Sequence, residues 1–122
     1  MQGHVLLIED EPNIAEAIRF LLARDGWRVS VLTTGEGAMA QISDLAPNLV
    51  ILDLMLPVRS GLQILTDIRA QKDTQDLPVL MLTAKGQERD RDAALAAGVS
   101  EYMTKPFDNS DMRAAVRALL GG

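Results

Sequence analysis

The sequence predicts an α/β domain: a doubly wound, five-stranded parallel sheet in the order 2-1-3-4-5. Three observations lead there. Strand-like and helix-like segments alternate across the 122 residues with no repeat, linker or low-complexity tract, and such alternation builds a parallel sheet with helices on both sides. Val5-Leu6-Leu7-Ile8, Leu49-Val50-Ile51-Leu52 and Val79-Leu80-Met81-Leu82 are unbroken apolar runs, as strands covered on both faces must be. Right-handed crossovers with one reversal of direction then set the strand order. The length suits one domain over 1–122, and with 48% apolar but only 3% aromatic residues its core should be aliphatic.

After the first strand, Pro12 suits the opening turn of a helix, where its missing N–H is not needed. Ile14, Ile18, Leu21 and Leu22 form one helical stripe, and Gly26 can close that helix in a left-handed conformation. Trp27 to Leu32 reads as the second strand. Glu36 to Leu45 forms the next helix, although Gly35 and Gly37 crowd its start, and Pro47 separates it from the third strand. Leu62, Leu65 and Ile68 share a helix face, Gln71 to Leu77 is a polar connection, and the fourth strand starts after Pro78. Glu88 to Ala97 is a helix, charged and then alanine-rich, stopped by Gly98. A short fifth strand precedes the last helix, for which Asp108 and Asp111 resemble a capping box. Met112, Ala115, Val116 and Leu119 give it a buried face. The resulting strand order is the flavodoxin-like one.

Composition removes whole classes of function. A net charge of −5 argues against this chain itself gripping a nucleic-acid backbone. Without cysteine there are no disulfides, thiol nucleophiles or thiolate metal sites, and a single histidine, His4, rules out a histidine-rich one. No apolar stretch approaches the roughly 20 residues that span a bilayer. The N-terminus lacks a signal-peptide pattern, so the expected location is cytoplasmic, away from membranes.

The ends of the strands carry the chemistry. The first run ends in Glu9-Asp10-Glu11, the third strand in Asp53, the fourth in Thr83, and Tyr102-Met103-Thr104 in Lys105-Pro106. In a parallel sheet these ends share the carboxyl edge, where open α/β sheets bind ligands. Carboxylates gathered there raise one another's pKa unless a cation joins them, and the cation called for is a hard, oxygen-seeking ion such as Mg²⁺. Blander roles exist for each residue. Acids near a helix start favour its dipole, and Asp10 could simply cap the helix. Thr83 could be an ordinary strand threonine and Lys105 a surface lysine, although Pro106 permits a cis bond in a tight turn. Asp53 resists such a reading, because an unpaired charge at the edge of the most buried strand is costly. His4, placed before the first strand, is expected to be exposed rather than to carry phosphate. The methionines at 39, 55, 81, 103 and 112 read as filler of core or loops.

Taken together, these pieces closely resemble the receiver domain of two-component response regulators from about Val5 to Leu120. The matching segments are Leu7-Ile8-Glu9-Asp10-Glu11, Leu52-Asp53-Leu54-Met55-Leu56-Pro57, Met81-Leu82-Thr83-Ala84 and Tyr102-Met103-Thr104-Lys105-Pro106-Phe107. The resemblance implies that Asp53 is the phospho-acceptor, with a sensor histidine kinase or phosphotransfer protein as donor. Asp10 would bind Mg²⁺ directly, Glu9 through water, and Asp53 and the Met55 carbonyl would complete the protein's ligands. Thr83 and the Ala84 N–H would bind phosphoryl oxygens and Lys105 would neutralise another. Thr83 and Tyr102 would form the switch, altering the face made by the fourth helix, fifth strand and fifth helix. That face would favour a homodimer or release an output domain.

Asp90-Arg91 and Arg117 fit the winged-helix transcription-factor class, whereas Ser100 and Ser60 stand where acids are common there. Nucleic acid would be contacted only through an output domain absent from this chain, which ends at Gly121-Gly122. Rival readings fit less well. A haloacid-dehalogenase-type phosphatase needs an aspartate where Met55 stands, and a flavin carrier needs a phosphate-cradling loop where Glu9-Asp10-Glu11 would repel phosphate. A pseudo-receiver lacks part of the acidic set, and this chain has all of it.

Overall fold

The structure, a computed structural model, describes residues 3–84 and 88–121. Strands and helices alternate as β1 (His4–Ile8), α1 (Pro12–Arg24), β2 (Arg28–Leu32), α2 (Ala38–Leu45), β3 (Leu49–Asp53), α3 (Gly61–Ala70), β4 (Val79–Ala84), α4 (Glu88–Ala96), β5 (Glu101–Lys105) and α5 (Asn109–Leu119). The strands are parallel and ordered β2-β1-β3-β4-β5, as expected.

Alternating side chains divide the core in two. Leu6, Ile8, Val50, Leu52 and Met81 pack with α2, α3 and Ala94 of α4, while Val5, Leu7, Ile51, Leu80 and Leu82 pack with α1 and α5. Residues of β1 and β3 are buried throughout, so both central strands are sheathed on both sides. That leaves the ends of the strands as the places where polar groups can meet. Among the described residues no helix is long and apolar enough to cross a membrane.

Local signals are mostly obeyed. Pro12 lies in the first turn of α1. At its other end, Gly26 (φ +94) donates to Ala23 O and Trp27 to Leu22 O, a paired C-terminal cap that needs a left-handed residue. Arg113 of α5 grips Asp25 with two 2.8 Å hydrogen bonds, fastening α5 to the end of α1. Trp27 lies at the amino edge of the sheet, beside Gly3, where an added Cβ would come within 3.2 Å of the indole.

Two expectations are corrected. His4 is buried, not exposed: it begins β1, its backbone N–H donates to Asn48 Oδ1 at 2.8 Å, and its ring lies 2.7 Å from Ser30 Oγ. Strand pairing with β2 draws the residue into the sheet, at the edge opposite the acids. Asp108 precedes α5 as its N-cap but makes no side-chain capping bond, so the box is absent there. The box belongs instead to α3, where Ser60 Oγ accepts from the Gln63 N–H and Gln63 Oε1 accepts from the Ser60 N–H. Glutamine has the reach that the aspartate of α5 lacks.

Candidate functional site

Glu9 follows β1 directly, and its N–H donates to Leu32 O, extending the ladder by one residue and carrying the side chain into the protein. It is fully buried. Its Oε2 accepts the Glu11 N–H at 3.1 Å, while Oε1 has no aligned hydrogen-bond donor and is compensated by the Lys105 ammonium 2.8 Å away. Asp53 ends β3 and is 5% exposed. Its Oδ1 accepts the Met55 N–H at 3.2 Å and its Oδ2 accepts from Lys105 Nζ at 3.1 Å. Asp10 is exposed at the mouth. Ligand oxygens of Glu9, Asp10 and Asp53 can all lie within 4.8 Å of one another, a spacing at which one ion can bind all three.

Lys105 ends β5 at the same edge, before a cis bond to Pro106. Its ammonium lies among Glu9, Asp53 and, at 3.4 Å, Glu11. Burial works against its charge, but close contact with the Glu9 and Asp53 carboxylates outweighs that and holds its pKa above the ordinary lysine range. Glu9 is pushed up to about 7, first by burial and then by the Asp53 carboxylate beside it, with Lys105 offsetting part of the rise. The buried acids thus exceed what one ammonium can balance. Hard carboxylate oxygens with surplus negative charge and an open mouth are the donor set for Mg²⁺.

Thr83 is buried near the end of β4, in register with Thr104, and Ala84 pairs with Lys105. Met55 is 63% exposed in the loop after β3. The sheet therefore brings Glu9, Asp10, Asp53, Thr83, Ala84 and Lys105 to one edge, as the sequence predicts. Tyr102 stands three residues before Lys105 in β5, half-buried, with the Arg91 guanidinium 4.4 Å from its ring centroid.

Some features of the site are not foreseen. Gly61 approaches Asp53 so closely that a Cβ there would lie 2.2 Å from the Asp53 carbonyl oxygen. The S-x-x-Q spacing of Ser60 and Gln63 marks the helix start that puts Gly61 in this place, but nothing in the sequence signals the close approach. Ser100 joins a different network: its hydroxyl accepts the Val79 N–H at 3.0 Å and lies 3.2 Å from Arg69 Nη2. Arg69 also donates to Gly98 O and Leu77 O, tying α3 to both connections around β4.

A groove of about 510 Å³ opens beside this edge, between α1 and the turn after β5, lined by Glu11, Ile14, Ala17, Lys105, Pro106 and Phe107.

Comparison with known proteins matches residues 5–117 to the response regulator receiver domain. The phosphate regulon transcriptional regulatory protein PhoB of Escherichia coli (strain K12) is 36% identical over 120 residues, covering 98% of this chain and 52% of PhoB. The chain thus spans about half the length of that relative. The receiver domain of sensor histidine kinase PA1611 from Pseudomonas aeruginosa PAO1 superposes with a TM-score of 0.90 at 29% identity, covering 100% of both chains, and holds a magnesium ion in its active site cleft. The BeF3-activated N-terminal receiver domain of Klebsiella pneumoniae RstA gives 0.91 at 28% identity, covering 98% of this chain and 100% of that one.

Proposed function

This chain belongs to the response regulator receiver domain family, and from that premise we propose that it takes a phosphoryl group onto Asp53 in a Mg²⁺-dependent reaction and relays the event through the α4–β5–α5 face. The observation that carries the reading is the placement of one ammonium, Lys105, 3.1 Å from Asp53 and 2.8 Å from Glu9 at the edge where the acids converge. Its donor is a phosphohistidine of a sensor kinase or phosphotransfer protein, approaching along the groove beside α1.

An Asp53 carboxylate oxygen attacks phosphorus; the new O–P bond forms as the P–N bond to the histidine breaks, and the imidazole leaves. A loose phosphoryl transition state calls for positioning and charge neutralisation rather than further covalent help. The Met55 N–H holds one Asp53 oxygen, which fixes the direction of the other. Lys105 neutralises one phosphoryl oxygen, while the Thr83 hydroxyl and Ala84 N–H donate to others. Glu9, Asp10, Asp53 and the Met55 carbonyl would hold Mg²⁺, which when bound supplies positive charge to the transferring group. The chain catalyses only its own phosphorylation and dephosphorylation.

Thr83 turning toward the phosphoryl group frees space for Tyr102 to move inward, and the α4–β5–α5 surface changes with it. The output is a homodimer or a DNA-binding domain of the winged-helix class, and the setting is cytoplasmic. To test the acceptor, wild type and Asp53→Asn are incubated with acetyl phosphate and Mg²⁺ and their intact masses compared. Wild type should gain one phosphoryl group and the variant none; an equal gain would refute Asp53.

A further inference from the structure

We infer that Glu11 is a specificity-determining residue that selects among phosphodonors by charge, disfavouring dianionic small molecules relative to donors of lower negative charge. The inference rests on Asp53 being the acceptor. Three observations support it.

First, Glu11 occupies the N-cap position of α1 yet makes no side-chain capping bond, and glutamate is not among the residues that cap well. Its carboxylate reaches to Lys105 instead, 3.4 Å away. Second, of the three acids around that ammonium, Glu9 and Asp53 are buried whereas the Glu11 side chain is 59% exposed. Third, Glu11 and Lys105 line the same groove, so an anion that reaches Lys105 along it also meets the Glu11 charge.

The consequence is electrostatic. A like charge roughly 6 Å from an incoming anion, in partly solvated surroundings, slows its capture by about three- to tenfold, and a dianion more than a monoanion. A phosphohistidine flanked by a lysine or arginine would escape this penalty, because its cation can pair with Glu11. In both small-molecule reactions Asp53 forms an O–P bond. Acetyl phosphate then loses acetate through its P–O bond, and phosphoramidate loses ammonia through its P–N bond after the nitrogen takes a proton from solvent.

The test compares initial phosphorylation rates, read by intact mass at fixed Mg²⁺, for acetyl phosphate (dianion) and phosphoramidate (monoanion). Glu11→Gln keeps the shape and the backbone N–H to Glu9, and should raise the acetyl phosphate rate about three- to tenfold but the phosphoramidate rate less. Glu11→Lys should push the preference further the same way. An unchanged ratio of the two rates in both variants, or a fall in both rates, would overturn the proposal; a fall would mean that Glu11 merely holds Lys105 in place. If wild type gains no phosphate from either donor, or Asp53→Asn gains as much, the acceptor assignment itself fails.

Discussion

Glu9 reads the presence of a cation directly. Without metal its pKa stands at about 7, against an ordinary 4.5, because it is buried beside Asp53. The folded protein then binds more protons than the unfolded chain between those values, so metal-free stability should fall as pH rises from about 4.5 to about 7. The loss should be on the order of 2 kcal/mol. Thermal melts in chelator at both ends of that window check the slope, which Glu9→Gln should remove. Saturating Mg²⁺ should flatten it in wild type, since the ion favours the ionised acid. Asp10 tests the same site from its exposed side. A ligand at a hundredfold excess over its Kd stabilises by about 2.7 kcal/mol, and Asp10→Ala should lose most of the Mg²⁺-induced rise in Tm. At this scale the sequence was most legible where a charged residue ended an apolar run. It did not foresee that Glu11 would reach Lys105 or that Arg91 would lie over Tyr102, because both contacts form only once helix and strand pack together.

Among the elements, α3 has a start that bears directly on the backbone of the acceptor. The reciprocal bonds of Ser60 and Gln63 fix its first turn, and the next residue, Gly61, lies against the backbone of Asp53. Removing the cap with Ser60→Ala should cost about 1 kcal/mol, measured by denaturant unfolding. Gly61→Ala should cost more, since a Cβ 2.2 Å from the Asp53 carbonyl must displace backbone, and it should also slow phosphorylation. A variant that lost stability but kept its phosphorylation rate would separate the helix start from the site. Helices and strands were legible because their apolar spacing is local. The cap was misplaced because the spacing of Asp108 and Asp111 resembles a capping box although aspartate reaches less far than glutamate, and His4 was misread because burial at a strand end depends on a neighbouring strand.

For the molecule as a whole, the sheet order follows from alternation, right-handed crossovers and one reversal of direction, whereas the state of the α4–β5–α5 face does not. Arg91 lies over the Tyr102 ring, so movement of Tyr102 would release a guanidinium at that face. Asp90, Arg91, Glu101 and Arg117 could then pair across a two-fold axis, each contact occurring twice. Exposed pairs contribute only about 0–1 kcal/mol each. Beryllofluoride with Mg²⁺ should therefore induce weak, salt-sensitive association, reduced in Arg117→Glu and measurable by sedimentation at several concentrations. A protein that stays monomeric under these conditions would count against the homodimer while leaving phosphorylation untouched.

The sheet also separates the chain's only tryptophan from its only tyrosine. Trp27 sits beside Gly3 at the amino edge, about 15 Å of strand away from the acids, while Tyr102 lies in β5 close to them. The two residues are thus independent spectroscopic probes. Indole fluorescence should follow global unfolding and stay nearly constant on phosphorylation, and 3-fluorotyrosine incorporation should give a single fluorine resonance that reports the switch alone. One sample can then be titrated for both processes without an added label.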